Sequence, residues 1–267
     1  MHPAELGRAL EERGFASLYL PEHTHLPIDF AEDSPVDADQ VDDAYRRTLD
    51  PWIALAVAGA VTERLGLGTG ISLVAQHDPI VLAKEIATLD HLTGGRVTLG
   101  TGFGWNRPEA EHHGVDWPRR RAIAREHTLA MQALWADDVA SFDGEFVRFG
   151  PSWSWPKPVQ RPRVRTLVGG GAGPKLFDQV AELADGWMPF GGAGVARALP
   201  ELRAAFEAHH RDPATVEIVP FGTLPNAAKL DHYAELGIQE TVLRIPAGGR
   251  DEVLRTLDEY APYVARV

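Results

Sequence analysis

The sequence predicts an α/β protein, a (β/α)8 barrel of the TIM type that lacks its first β-strand. Amphipathic helices alternate with short apolar strands along the chain, which is the pattern of a parallel sheet covered by helices. The chain has 267 residues, close to the roughly 250 residues of one such barrel. The pattern contains seven strands and eight helices and opens on a helix, so one strand is missing. An open doubly wound sheet is the alternative.

The predicted elements follow from hydrophobic periodicity and from the residues at their ends. Strands are predicted at short runs of Val, Ile, Leu, Thr and Gly, namely 17–21, 65–73, 96–102, 165–169, 186–190, 215–221 and 241–245. Helices are predicted where apolar residues recur every three or four positions, namely 3–13, 51–63, 79–93, 119–136, 174–184, 195–209, 226–236 and 250–265. Gly14, Gly94 and Gly237 stand at helix ends, where a left-handed residue is favoured.

One domain, residues 1–267, accounts for the whole repeat, with two long insertions at about 22–50 and 137–164. The second insertion contains a predicted hairpin that turns at Asp143-Gly144. Long loops in compact domains commonly bind ligands, so we expect both insertions to shape the substrate site. The missing strand would leave two open edges. We expect a neighbouring subunit, a shifted strand or a longer natural N-terminus to cover them.

Composition excludes several classes of protein. There is no cysteine, which rules out disulfides, thiolate zinc sites and cysteine nucleophiles. The formal net charge of −12 disfavours binding to nucleic acid or to anionic membranes. The N-terminus has no secretory signal pattern, and the longest apolar segment, 52–61, is about half a membrane span. We therefore expect a cytoplasmic protein, forming a homodimer, that acts on a small molecule.

His23 and His25 directly follow the first predicted strand. They are interpreted either as metal ligands of a barrel hydrolase or as loop histidines beside a cleft. A metal site needs further ligands at other strand ends, and the segments 169–173 and 245–246 offer no imidazole or carboxylate. No metal site is therefore assigned. The histidine pairs 112–113 and 209–210 are expected at the surface.

Two glycine-rich segments end predicted strands. In the first, Gly170, Gly171, Ala172 and Gly173 lead into a helix at Pro174, where backbone N–H groups could hold a phosphate. A flexible surface loop is the alternative. No acid lies between residues 146 and 177, whereas six basic residues do: Arg148, Lys157, Arg161, Arg163, Arg165 and Lys175. That local charge suits an anionic ligand, although solvated side chains would explain most of the six. In the second segment, 99–111, Trp105 and Asn106 follow the glycines. An aromatic and an amide side chain at this place could bind a flat heterocycle, or they could form a structural cap.

Residues 65–106, the run WPKPVQRP at 155–162 and residues 168–187 together resemble the bacterial luciferase-like monooxygenase family, in particular its F420-dependent branch. The family's segment HPxVLAKxxATLDxLSGGR appears here as HDPIVLAKEIATLDHLTGGR, residues 77–96. The resemblance implies a barrel that binds a flavin or deazaflavin at its C-terminal mouth. It also implies a non-proline cis peptide at Gly70-Ile71. The cofactor-site residues that it suggests are Gly70, Ile71, Thr101, Gly102, Asn106 and the loop 170–173.

Glu22 and His23 occupy the position of an acid–histidine pair in the branch's sugar-phosphate dehydrogenases, which makes them the candidate catalytic residues. Phe103 and Pro27 replace a carboxylate and a tryptophan of those enzymes, which argues against a sugar-phosphate substrate. The expected function is hydride transfer between coenzyme F420 and an unidentified small organic substrate. His23 would exchange a proton or hydrogen-bond the ring, with Glu22 fixing its proton. Alternatives are an FMN-dependent monooxygenase supplied by a flavin reductase, a metal-dependent hydrolase and a non-catalytic barrel.

Overall fold

The computed structural model describes residues 1–29, 41 and 43–264. Its strands are β1 (Ser17–Leu20), β2 (Gly66–Thr69), β3 (Val97–Thr101), β4 (Ala140–Asp143), β5 (Arg148–Ser152), β6 (Arg165–Gly169), β7 (Gly186–Met188), β8 (Glu217–Ile218), β9 (Phe221–Thr223) and β10 (Val242–Leu243). Its helices are α1 (Pro3–Glu12), α2 (Asp43–Arg46), α3 (Pro51–Gly59), α4 (Pro79–Thr93), α5 (Arg107–His112), α6 (Arg120–Ala136), α7 (Pro174–Leu183), α8 (Val195–Ala208), α9 (Ala227–Glu235) and α10 (Arg250–Val264). Residues 30–40 and 42 of the predicted insertion 22–50 lie outside the described residues.

The central sheet is parallel, with strand order β1-β2-β3-β6-β7-β8. β9 follows β8 directly and pairs in parallel with β10, and a bridge between Phe190 and Phe221 ties β9 to the end of β7. The sheet curls, and the hydroxyl of Ser17, the first residue of β1, donates a hydrogen bond of 2.7 Å to Glu240, which precedes β10. The expected strand positions are thus found in a curled parallel sheet. Among the described residues, β1 pairs with no strand other than β2.

Several predicted elements end earlier than the sequence pattern suggested. The strand predicted at 65–73 stops at Thr69; the peptide bond Gly70-Ile71 is cis, and beyond it Ser72 contacts β3 through an isolated bridge to Thr101. The strand predicted at 215–221 is divided around Pro220, which has no N–H to donate to a neighbouring strand. The predicted hairpin is confirmed as β4 and β5, but its loop has four residues, 144–147, rather than a two-residue turn.

Local signals explain why α4 was predicted at its observed bounds. The Asp78 side chain accepts hydrogen bonds from the backbone N–H groups of Ile80 and Val81, and Pro79 occupies the first helical position. Gly94 ends the helix in the left-handed conformation, with φ of 71°. The apolar face of α4 packs with the neighbouring helices and the sheet in the largest of four core clusters among the described residues, whose fully buried members include Leu55, Leu67, Ile86, Leu99 and Met131.

A charged network closes the sheet at the amino ends of its strands. Arg165 pairs with Glu217 and Glu240 at 2.5 and 2.8 Å and donates to the Tyr19 hydroxyl at 3.2 Å. Burial and the nearby Glu240 carboxylate raise the pKa of Tyr19, so its hydroxyl stays neutral. This network lies at the end of the sheet opposite to the loops that follow the strands. No helix among the described residues is long and apolar enough to span a membrane.

Candidate active site

A cavity of about 1370 Å³ extends from α1, β1, residues 239–247 and α10 to the segments that follow the strands at their carboxyl ends. Its wall includes His23 after β1, Ile71 after β2, Phe103 after β3, Gly170 after β6 and Phe190 after β7. The loops at the carboxyl ends of parallel strands are where barrels of this kind place their active sites. The wall of the cavity is mostly apolar and is rich in aromatic side chains near these loops. This cavity is therefore the candidate active site.

Gly70 and Ile71, two of the expected cofactor-binding residues, line the cavity. Their shared peptide bond is cis, as the resemblance implied. Gly102, another expected residue, does not line the cavity among the described residues, but it makes room for Ile71. A Cβ atom at Gly102 would lie 2.0 Å from Ile71 Cδ1, and one at Gly169 would lie 2.8 Å from Ile71 Cγ2. The two glycines therefore fix where the Ile71 side chain can sit.

Thr101 and Asn106, which were also expected at the cofactor, lie behind the cavity wall rather than on it. Asn106 Oδ1 accepts a hydrogen bond of 3.0 Å from the backbone N–H of Glu109 and so caps the start of α5. Its amide nitrogen and the Thr101 hydroxyl are buried, with no hydrogen-bond partner among the described residues. The observed role of Asn106 is thus to orient α5, the helix that carries Glu109.

His23 is hydrogen-bonded to Glu109, with 2.7 Å between Nδ1 and Oε2. Both side chains are almost fully buried, at 6% and 1% exposure. The imidazole meets the rings of Tyr45 and Trp105 edge-on, each at a centroid distance of 5.5 Å. Glu109 also accepts a hydrogen bond of 3.2 Å from the backbone N–H of Thr24. Sequence analysis missed Glu109, because it follows His23 by 86 residues and no local pattern links the two.

The expected pairing of Glu22 with His23 is wrong. Successive side chains of an extended segment point to opposite sides, and Glu22 turns toward the segment after Gly70. It accepts hydrogen bonds from the Ser72 hydroxyl at 2.8 Å and the Leu73 N–H at 2.5 Å, and it pairs with His77 Nε2 at 2.9 Å. Glu22 therefore braces the cavity wall.

Glu22 and His77 shift each other's pKa values. Burial alone would raise the pKa of Glu22, but the hydrogen bond and charge of His77, with the Leu73 N–H, hold it below its usual range. Burial would likewise lower the pKa of His77, but the Glu22 carboxylate, aided by the charges of Glu85 and Asp50, keeps it above its usual value. Both shifts favour the ionised pair.

The glycine loop before α7 reaches the cavity through Gly170, Gly171 and Ala172. Gly171 is exposed, and a Cβ atom there would meet no described atom within 4 Å. The loop is anchored from behind, because the Trp187 indole N–H donates a 2.9 Å hydrogen bond to the carbonyl of Gly170. Gly173 does not line the cavity among the described residues; it caps α7, and its carbonyl accepts the first helical hydrogen bonds. The loop thus presents backbone to the cavity at a helix N-terminus.

Five of the six basic residues expected near this loop are engaged elsewhere, so that interpretation is corrected. Arg148 pairs with Asp143, Lys157 donates to the Leu134 carbonyl, Arg161 to the Trp135 carbonyl, Arg163 pairs with Asp185, and Arg165 with Glu217 and Glu240. Lys175 remains exposed in the first turn of α7. The arginines on the cavity wall are instead Arg120, Arg121 and Arg244, and Arg121 lies 4.2 Å above the Phe103 ring.

Residues 2–236 match the family model described as luciferase-like monooxygenase, which is well over half of the chain. The chain belongs to the luciferase-like monooxygenase family. An uncharacterized protein of Mycobacterium tuberculosis (strain H37Rv) is 45% identical over 268 residues, covering 99% of this chain and 92% of the relative. The crystal structure of a monooxygenase from Streptomyces bottropensis has a TM-score of 0.78 at 22% identity, covering 99% and 92% of the two chains. The curled sheet is therefore the fold of this luciferase-like structure.

Luciferase-like relatives with named activities use different coenzymes. An F420-dependent glucose-6-phosphate dehydrogenase of Nakamurella multipartita is 27% identical over 212 residues, which cover 76% of this chain and 57% of the relative. An FMNH2-dependent dimethylsulfone monooxygenase of Pseudomonas putida is 31% identical over 150 residues, which cover 54% and 41%. The names of these two relatives thus specify redox chemistry, with F420 in one and FMNH2 in the other.

The second histidine of the sequence motif, His25, does not join His23. Its Nε2 lies 2.9 Å from His112 Nδ1, and the Thr24 hydroxyl contacts both His25 and His113. His112 and His113 are exposed, as expected. In the part of the chain that the structure describes, no three His, Asp or Glu side chains converge as metal ligands would.

Proposed function

We propose that this luciferase-like protein is an oxidoreductase that transfers a hydride between coenzyme F420 and a small organic substrate. The observation that carries the proposal is the convergence, on one cavity, of a buried histidine–carboxylate pair and a backbone loop at a helix N-terminus. A cofactor with a flat ring and an anionic tail needs an apolar pocket for the ring and backbone N–H groups for the tail. The similarity to the F420-dependent glucose-6-phosphate dehydrogenase of Nakamurella multipartita, over 76% of this chain, supports the deazaflavin.

The cavity has the parts that a deazaflavin would require. Ile71 and Phe103 would flank the ring, and the open Gly171 leaves the loop backbone free to approach an anionic tail. Lys175 and Arg121 would add positive charge at that end. When bound, the coenzyme would supply a carbon centre that accepts or gives hydride without activating oxygen. The protein would bind and orient it and keep water away.

His23 would handle the proton that accompanies hydride transfer. Its Nδ1 is bound to Glu109, so Nε2 is the nitrogen left to exchange a proton with the substrate. Tyr45 and Trp105 pack against the imidazole ring and shield it from water. In this scheme Glu22 does not contact the substrate; it holds the segment from Ser72 to Leu73 against the wall.

His23→Ala tests the proposal. Two screens first identify a substrate: small alcohols with oxidised F420, read by the loss of its absorbance, and small ketones with reduced F420, read by the gain of that absorbance. With F420 at saturation, we expect the variant to lose roughly 10²- to 10⁴-fold in turnover, the usual worth of a general acid or base, with little change in F420 affinity. A fall in affinity with normal turnover would make His23 a ring-binding residue instead. Unchanged rate and affinity would remove it from the site.

A second candidate function is an FMN-dependent monooxygenase that takes reduced flavin from a separate reductase. The similarity to the dimethylsulfone monooxygenase of Pseudomonas putida supports it. The same cavity, with the same glycine loop and His23, would bind the reduced flavin. This candidate predicts oxygen consumption that depends on a flavin reductase, whereas the F420 function predicts turnover that is unaffected by removing oxygen.

A further inference from the structure

We infer that Glu109 is a positioning residue that decides which nitrogen of His23 carries the proton, an inference that rests on the function proposed for His23. The imidazole has two neutral tautomers, and only one of them leaves Nε2 with a lone pair able to take a proton. The partner of Nδ1 selects between them. Here that partner is the Glu109 carboxylate, at 2.7 Å.

The two oxygens of Glu109 face two nitrogens. Oε1 accepts the backbone N–H of Thr24 at 3.2 Å, and Oε2 meets His23 Nδ1. Glu109 itself is held in place, because its own N–H is bonded to Asn106 Oδ1 at the start of α5. An ionised carboxylate only accepts hydrogen bonds. His23 Nδ1 must therefore be the donor, and in the neutral ring Nε2 carries the lone pair.

Glu109→Gln should reverse which nitrogen of His23 carries the proton without changing the shape of the site. The backbone N–H of Thr24 can only donate, so it takes the amide oxygen. The amide NH2 group then faces His23 Nδ1 and donates to it. Nδ1 becomes the acceptor, and the neutral ring moves its proton to Nε2. His23 would still be present and packed against Tyr45 and Trp105, but it could no longer take a proton at Nε2.

Glu126 provides a matched control. Its carboxylate is also buried and also accepts backbone N–H groups, those of Glu145, Phe146 and Val147 in the β4–β5 loop. It is not among the residues that line the cavity. Glu126→Gln therefore repeats the chemical change, a buried carboxylate to an amide, at a place where His23 should not respond.

The tautomer can be read by ¹⁵N NMR of the protein labelled at histidine, without cofactor or substrate. The His23 signals are assigned by their loss in His23→Ala, at a pH high enough that the rings are neutral. We expect proton on Nδ1 in the wild type and in Glu126→Gln, and proton on Nε2 in Glu109→Gln. A wild-type ring protonated at Nε2, or a Glu109→Gln ring still protonated at Nδ1, would overturn the inference. If Glu109→Gln does not fold, the wild-type tautomer alone decides.

Kinetics separate this inference from the function on which it rests. With the same substrate and saturating F420, Glu109→Gln should lose turnover by a factor similar to His23→Ala, roughly 10²- to 10⁴-fold, with an unchanged KM for F420. If the NMR result is as expected but neither variant affects turnover, the role proposed for His23 fails while the assignment of the tautomer stands. If His23→Ala is impaired and Glu109→Gln is not, Glu109 is not a positioning residue.

Discussion

Gly171→Val tests whether the glycine loop before α7 binds the anionic tail of the cofactor. The added Cβ atom would contact a bound ligand but no described atom of the protein. No described atom lies within 4 Å of a Cβ built on Gly171, and its φ is not in the left-handed region, so the folded protein should accept valine. A cofactor tail held by the loop backbone would lose at least one hydrogen bond between an N–H and a charged oxygen. Such a bond contributes about 1.5–3 kcal/mol, which corresponds to about a 10- to 100-fold weaker Kd.

The measurement is a fluorescence titration with F420, together with the thermal unfolding midpoint of each protein. Gly150→Val is the matched control, since Gly150 also has no described atom within 4 Å of its Cβ position, lies on the exposed strand β5 and does not line the cavity. We expect both variants to unfold at the wild-type temperature and only Gly171→Val to bind more weakly. Equal affinity in the three proteins would show that the anionic tail is held elsewhere.

Two further predictions concern residues that support the cavity wall. The raised pKa of His77 contributes stability that is complete below pH about 6.5 and is lost as the pH rises through that raised pKa. The lowered pKa of Glu22 contributes stability that is complete above pH about 4.5 and is lost as the pH falls through that lowered pKa. Thermal unfolding of the single and double glutamine variants across pH should therefore show the largest coupling between about pH 5 and 6, and a coupling independent of pH would contradict the ion pair. Gly102→Val should displace the Ile71 side chain, cost about 1–3 kcal/mol in urea unfolding and weaken F420 binding; wild-type stability would contradict the close packing.

Elements with local signals at both ends could be predicted from sequence. The helix α4 shows this, because Asp78, Pro79 and Gly94 each determine a terminus through their own backbone or side chain. The end of β2 could not be predicted in the same way. The apolar run continues to Leu73, whereas the regular strand ends at Thr69, and Ile71 packs against Gly102 and Gly169, which are distant in sequence.

In the candidate site, too, the parts with local sequence signals could be predicted and the parts that depend on distant residues could not. The segments that reach the cavity, His23 and the loop 170–172, were found from sequence, since strand ends and glycines mark them. The partners of those segments were not. Glu22 was paired with His23 because the two occupy the position of an acid–histidine pair in the resembled enzymes, whereas adjacent extended residues face apart. Glu109 comes from a helix 86 positions away. Arg165 was placed near an anion because of its charge, but it begins β6 at the opposite end of the sheet from the glycine loop.

The most direct test of the account compares the affinities of the purified protein for F420 and for FMN in parallel titrations. We predict that F420 binds more tightly than FMN, and that Gly171→Val weakens this binding while Gly150→Val does not. Tight binding of FMN with no measurable binding of F420 would contradict the deazaflavin function and favour the monooxygenase.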